Sequence, residues 1–120
     1  MIRTIWALMF VAVSTLAHAE TLTLHSSYAV SGTNPDNSTY SGTATVKVIS
    51  EATFTIRWKI GDAVYQGFGM RNGDALAATY TIDGEPGLVI YRVDANGTLR
   101  GLWVVRGKDT AGTERLTPRD

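Results

Sequence analysis

The chain has 120 residues, 11 basic and 11 acidic side chains, 44% apolar content, 12 glycines and no cysteine. That length fits one domain, the balanced charge leaves no basic excess to neutralise nucleic-acid phosphates, and 18% charged residues is too few for a disordered acidic segment. Without cysteine there is no disulfide framework, thiolate zinc site, redox pair, cysteine nucleophile or cysteine-linked lipid anchor.

The first element is a processing signal. Arg3, the apolar run at 5–13 and the small-residue site Ala17-His18-Ala19 read as a secretory signal peptide over 1–19, cleaved after Ala19. The run falls well short of the roughly 20 apolar residues that span a bilayer. Removing it takes away Arg3 and His18 and no acidic residue, so the domain at 20–120 carries a formal charge of −1 and keeps His25 as its one histidine. Export in a bacterium places it in the periplasm or the medium.

From there the chain alternates β-branched or aromatic residues with polar ones, and no helical period is sustained. The spacing predicts eight strands at 24–30, 39–49, 53–60, 64–71, 75–82, 88–94, 98–106 and 113–117. The third is the clearest, with Phe54, Ile56, Trp58 and Ile60 on one face and Thr55, Arg57 and Lys59 on the other. Gly61-Asp62, Asn72-Gly73-Asp74, Asp83-Gly84-Glu85-Pro86 and Ala95-Asn96-Gly97 separate the strands with turn chemistry, while 31–38 and 107–112 read as longer loops. Connections this short force consecutive strands to pair antiparallel. The expected fold is therefore all-β, a single up-and-down meander. A small closed β-barrel, or a strongly curled meander, is favoured over a two-layer sandwich, because closure removes the open edges.

Candidate sites are few. His25 lies beside Ser26 and Ser27, but no Gly-x-Ser-x-Gly elbow accompanies it, so a surface or barrel-mouth position is expected. No metal motif occurs, the aspartates sit mostly in turns, and neither a cofactor nor an enzymatic activity is expected. Glu114, next to Arg115 in the last strand, is expected to pair with Arg57, Arg92 or Arg100 and close the barrel seam. Tyr40, Phe54, Trp58, Tyr65, Phe68, Tyr80, Tyr91 and Trp103 supply bulk for the interior. Of these, Tyr40, Trp58, Tyr65, Tyr91 and Trp103 are the candidate ligand-binding residues, core packing being the default role against which that reading stands. Gly42, Gly67, Gly69 and Gly101 fall within strands, where they mark either barrel bends or glycines covered by a cross-strand aromatic.

The words Tyr40-Ser-Gly-Thr-Ala-Thr-Val46, Trp58-Lys-Ile-Gly61, Tyr65-Gln-Gly-Phe-Gly69, Val89-Ile-Tyr-Arg-Val93, Asn96-Gly-Thr-Leu-Arg-Gly-Leu-Trp103 and Gly112-Thr-Glu-Arg-Leu-Thr-Pro118 carry a resemblance. Over 40–118 the chain resembles small exported bacterial proteins labelled fibronectin-binding protein. The resemblance implies a non-enzymatic binding protein whose partner is fibronectin or another extracellular or envelope protein, met through a strand edge or one face of the barrel. The alternative is a barrel similar to the avidin and lipocalin architectures, holding a small apolar or aromatic ligand. The chain lacks the lipocalin Gly-x-Trp signature and shows no biotin-contact series.

Overall fold

A computed structural model describes residues 23–119, so the expected signal peptide and its cleavage site lie outside the described residues. Eight antiparallel strands follow one another in chain order: β1 (Ser27–Thr33), β2 (Thr39–Val48), β3 (Thr53–Ile60), β4 (Ala63–Asn72), β5 (Ala75–Ile82), β6 (Glu85–Val93), β7 (Leu99–Val105) and β8 (Gly112–Pro118). β1 pairs with β2 on one side and with β8 on the other, which closes the meander into a barrel. The sandwich is thereby excluded. Closure also corrects one expected binding route: no open edge remains among the described strands, so a partner cannot be captured by adding a strand.

Alternation with period two builds the wall. Phe54, Ile56 and Trp58 of β3 are buried between exposed Thr55, Arg57 and Lys59, and Leu76, Ala78 and Tyr80 repeat the pattern on β5. Six of the eight strands, β2 to β5, β7 and β8, match the sequence reading at both ends within about one residue. β1 instead runs on through Ser31, Gly32 and Thr33, because Gly32 packs inward beneath the ring of its cross-strand partner Tyr40. β6 starts early because its hairpin tightens to Asp83-Gly84, with φ of 52° and 81°, the left-handed pair a type I′ turn requires.

Of the causes weighed from sequence, cover by a cross-strand aromatic is seen at Gly101, while other strand glycines mark close backbone approach. A Cβ on Gly42, Gly67 or Gly69 would strike the carbonyl oxygen of Lys59, Thr79 or Ala77, so these mark places where neighbouring backbones close in. Gly32, Gly87, Gly101 and Gly112 lie instead under the rings of their cross-strand partners Tyr40, Tyr80, Tyr91 and Trp103. Gly69→Ala is expected to cost about 1–3 kcal/mol, the usual penalty of overpacking. A urea titration gives the change, and an unaltered midpoint would show that the β4–β5 backbones can move apart freely.

The interior is not uniform along its axis. At the end carrying the β2–β3, β4–β5 and β6–β7 connections, Tyr28, Leu76, Leu99 and Leu116 are almost wholly buried and fill the barrel. Phe68, expected inside, is 67% exposed: Tyr65, Gly67 and Gly69 take the inward phase of β4 and leave Phe68 on the outer wall. There it joins Met70, Leu88, Ile90 and Leu102 in an exposed apolar area, within which Met70, Ala77, Ile90 and Leu102 form one continuous cross-strand row.

Candidate functional site

The other end of the barrel is open. Between the β1–β2, β3–β4, β5–β6 and β7–β8 connections lies a cavity of about 200 Å³. Tyr40, Trp58, Tyr65, Tyr80 and Trp103 supply its aromatic walls. Ile60, Ile82 and Val89 add apolar surface, Asn34 stands at the rim, and Glu114 supplies the one ionisable carboxyl. The rings stand steeply to one another: Tyr40 and Trp103 meet edge to face at 70°, and Trp58 and Tyr80 at 69°. The result is a box with aromatic sides.

Glu114 is held by a row that crosses five strands. In register, Tyr40 of β2 faces Gly32 of β1, Gly32 faces Glu114 of β8, Glu114 faces Gly101 of β7, and Gly101 faces Tyr91 of β6. Each glycine lets a tyrosine ring lie across it, and each ring then reaches the glutamate between them. Tyr40 Oη donates to Glu114 Oε1 at 2.7 Å, and Tyr91 Oη donates to Oε2 at 2.5 Å. Trp58 Nε1 donates to the same Oε2 at 2.9 Å, with Tyr91 Oη a second, longer acceptor at 3.3 Å. A carboxylate offers about four acceptor sites, so three are filled and one is left on Oε1.

This overturns the expected role of Glu114. The side chain points inward and is 8% exposed, and none of the ion pairs among the described residues includes it. The phase of β8 explains why: Gly112, Glu114 and Leu116 face inward, while Arg115 faces out with Thr113 and Thr117. Arg57, Arg92 and Arg100 are all on the outer wall, where Arg92 pairs with Asp74 and Arg100 with Asp94.

Burial raises the Glu114 pKa above its ordinary 4.5, against the opposing pull of the Tyr91, Tyr40 and Trp58 hydrogen bonds. Burial, and then the Glu114 charge, push Tyr40, Tyr80 and Tyr91 well above the usual phenol value, so these hydroxyls remain donors. A carboxyl whose pKa is raised by folding stabilises the fold fully below its unfolded value, and that contribution is lost as pH rises through the folded value. The stability of wild type relative to Glu114→Gln should therefore fall as pH is raised from 4.5 through the folded-state pKa. Chemical denaturation of both proteins across that range measures it, and a difference independent of pH would contradict the raised pKa.

Of the five residues expected to bind a ligand, Tyr40, Trp58, Tyr65 and Trp103 line the cavity. Tyr91 does not: it is 1% exposed and supports Glu114 from behind. Tyr80 and Glu114 complete the site and were not among the candidates; the inward phase of each strand is the signal that identifies them. His25 is half-buried before β1, its backbone N–H donating to Tyr28 Oη at 2.7 Å, and its ring lies near Gly97 of the β6–β7 connection, at the filled end. Among the described residues no group of three His, Asp or Glu side chains is arranged to hold a metal.

No family model and no curated protein matches the chain. Among solved structures it is similar to a variant of the fluorescent protein UnaG, with a TM-score of 0.54 over 80% of this chain and 96% of that one. The two share 7% sequence identity, so the likeness is one of fold. The chain is an eight-stranded antiparallel β-barrel, open at one end onto an aromatic cavity with a buried carboxyl in its wall.

Proposed function

We propose that the protein is a small-molecule-binding barrel that takes its ligand into the cavity at the open end. The observation that carries this reading is the combination of a filled end with an open one, the latter walled by aromatic rings around a single oriented polar group. At about 200 Å³ the cavity is smaller than the roughly 300–1,000 Å³ of drug-sized pockets, so the ligand is small. In this reading Glu114 orients a ligand, its own carboxyl being held in place by three neutral donors. If residues 1–19 direct export, the ligand is met in the periplasm or the medium. Ligands that enter should change the fluorescence of Trp58 and Trp103, and Trp103→Phe should reduce that change. A broad panel of small apolar and aromatic compounds producing no response would overturn the proposal.

A second reading, an exported module that binds a protein, draws on the outer wall. The exposed row of Met70, Ile90 and Leu102, with Phe68 and Leu88 beside it, is an apolar face of the kind that marks contact sites. Fibronectin is the partner that the sequence resemblance implies. Retention on immobilised fibronectin that is lost on Ile90→Lys would support this reading, and retention no greater than that of a scrambled control would remove it.

A further inference from the structure

We infer that the ligand of the cavity is a small organic cation, an amine carrying N–H donors on an apolar or aromatic body. The inference rests on the small-molecule reading above and specifies the ligand. It follows from what the site's polar groups leave unused. Tyr80 Oη donates within the wall, to the carbonyls of Val104 at 3.1 Å and Leu88 at 3.3 Å. Trp103 Nε1 donates to the Thr113 carbonyl at 3.3 Å, and the donors of Tyr40 and Trp58 are spent on Glu114. What faces the cavity is therefore π surface and an acceptor. Two groups are exceptions: the Tyr65 hydroxyl, which makes no hydrogen bond among the described residues, and the Asn34 amide at the rim, whose Nδ2 spends one N–H on Ser38 Oγ at 2.9 Å and keeps the other.

Such a lining discriminates by charge. Ring faces attract a cation through their quadrupole, and the attraction grows when water is excluded. The free acceptor site on Glu114 Oε1 takes an N–H from the same group. A carboxylate with no cation among its partners is costly to bury, and an ammonium ligand would supply the missing counter-charge. An anionic ligand would meet a like charge, and a neutral acceptor would find few donors. The exposed charges around the mouth sum to a negative balance that favours the approach of a cation: Asp36, Asp62, Asp83, Glu85 and Asp109 stand against Lys59, Arg106 and Lys108.

Binding of a cation requires Glu114 ionised. The groups facing it are Tyr40 from β2, Trp58 from β3, Tyr80 from β5, Tyr91 from β6 and Trp103 from β7, and none of them carries a charge at neutral pH. Cation affinity should thus fall on acidification, while that of a neutral ligand should not.

The test uses phenethylamine, its neutral isostere phenethyl alcohol and the anion phenylpropionate, titrated into the intact protein by calorimetry near neutral pH. The amine should bind about tenfold or more tightly than the alcohol, and phenylpropionate should bind least. Glu114→Gln should erase the advantage of the amine and leave the alcohol nearly unchanged; the comparison on wild-type protein stands even if that variant does not fold. Alcohol binding equal to amine binding would overturn the cation inference and keep the small-molecule reading. Failure of all three probes to bind would overturn both.

Discussion

Glu114→Ala should destabilise the barrel by about 2–4 kcal/mol, because it takes the acceptor from three hydrogen-bond donors, one of them on the fully buried Tyr91. The three donors are not equally affected. Tyr40 Oη keeps the Thr113 carbonyl at 3.2 Å, and Trp58 Nε1 keeps Tyr91 Oη at 3.3 Å. Tyr91 is left with no acceptor, its hydroxyl in a fully buried position. Loss of the carboxyl also relieves the cost of burying it, which holds the total below three full desolvation penalties. Glu114→Gln keeps one acceptor oxygen but turns an amide N–H₂ towards a donor, so about 1–2 kcal/mol is expected. Tyr91→Phe removes one donor and leaves Trp58 and Tyr40 in place, and should cost about 1 kcal/mol. Urea denaturation should return that order. A loss below about 0.5 kcal/mol for Glu114→Ala would mean that the Tyr-Gly-Glu-Gly-Tyr row does not organise the barrel.

Leu116→Ala should cost about 2–5 kcal/mol and leave ligand binding nearly intact. Leu116 is wholly buried at the filled end, on the same strand face as Glu114 but one step further from the mouth. Its removal opens a void beside its cross-strand partners Val30 and Leu99 in the buried core, where close packing leaves little to collapse inward. Trp103→Phe should behave in the opposite way, with a small change in stability and a large change in binding, because Trp103 is only partly buried and faces the cavity. Denaturation and titration on the same two variants separate the effects. Equal loss of binding in both would mean that the two ends of the barrel act as one unit.

Strand positions were legible in the sequence because they rest on local physics. Alternation fixed β3 and β5 to the residue, and Asn-Gly and Asp-Gly pairs marked hairpins that had to connect antiparallel neighbours. β1 was misplaced by three residues because Ser31-Gly32-Thr33 has the composition of a loop. Its strand character comes from Tyr40, a cross-strand neighbour that local pattern does not reveal. Four of the five expected ligand contacts line the cavity, since bulky aromatics on inward faces are what a small barrel has available. Beside Arg115, Glu114 reads locally as half of an ion pair with Arg57, Arg92 or Arg100 that closes the seam. Period two already argued otherwise, setting Glu114 with Gly112 and Leu116. What the pattern could not supply was the closure register that brings Tyr40 and Tyr91 to the carboxyl from opposite sides.

The most direct test of the cavity as a small-ligand site is a ¹H–¹⁵N NMR titration with phenethylamine that follows the indole N–H signals of Trp58 and Trp103. Trp58 donates to the Glu114 carboxyl and Trp103 to the rim of the wall, so the two signals report on the site itself. Both should shift together and saturate, with amides of Tyr28, Leu99 and Leu116 at the filled end nearly still. Shifts confined to the outer row of Met70, Ile90 and Leu102, with both indoles unmoved, would contradict the account.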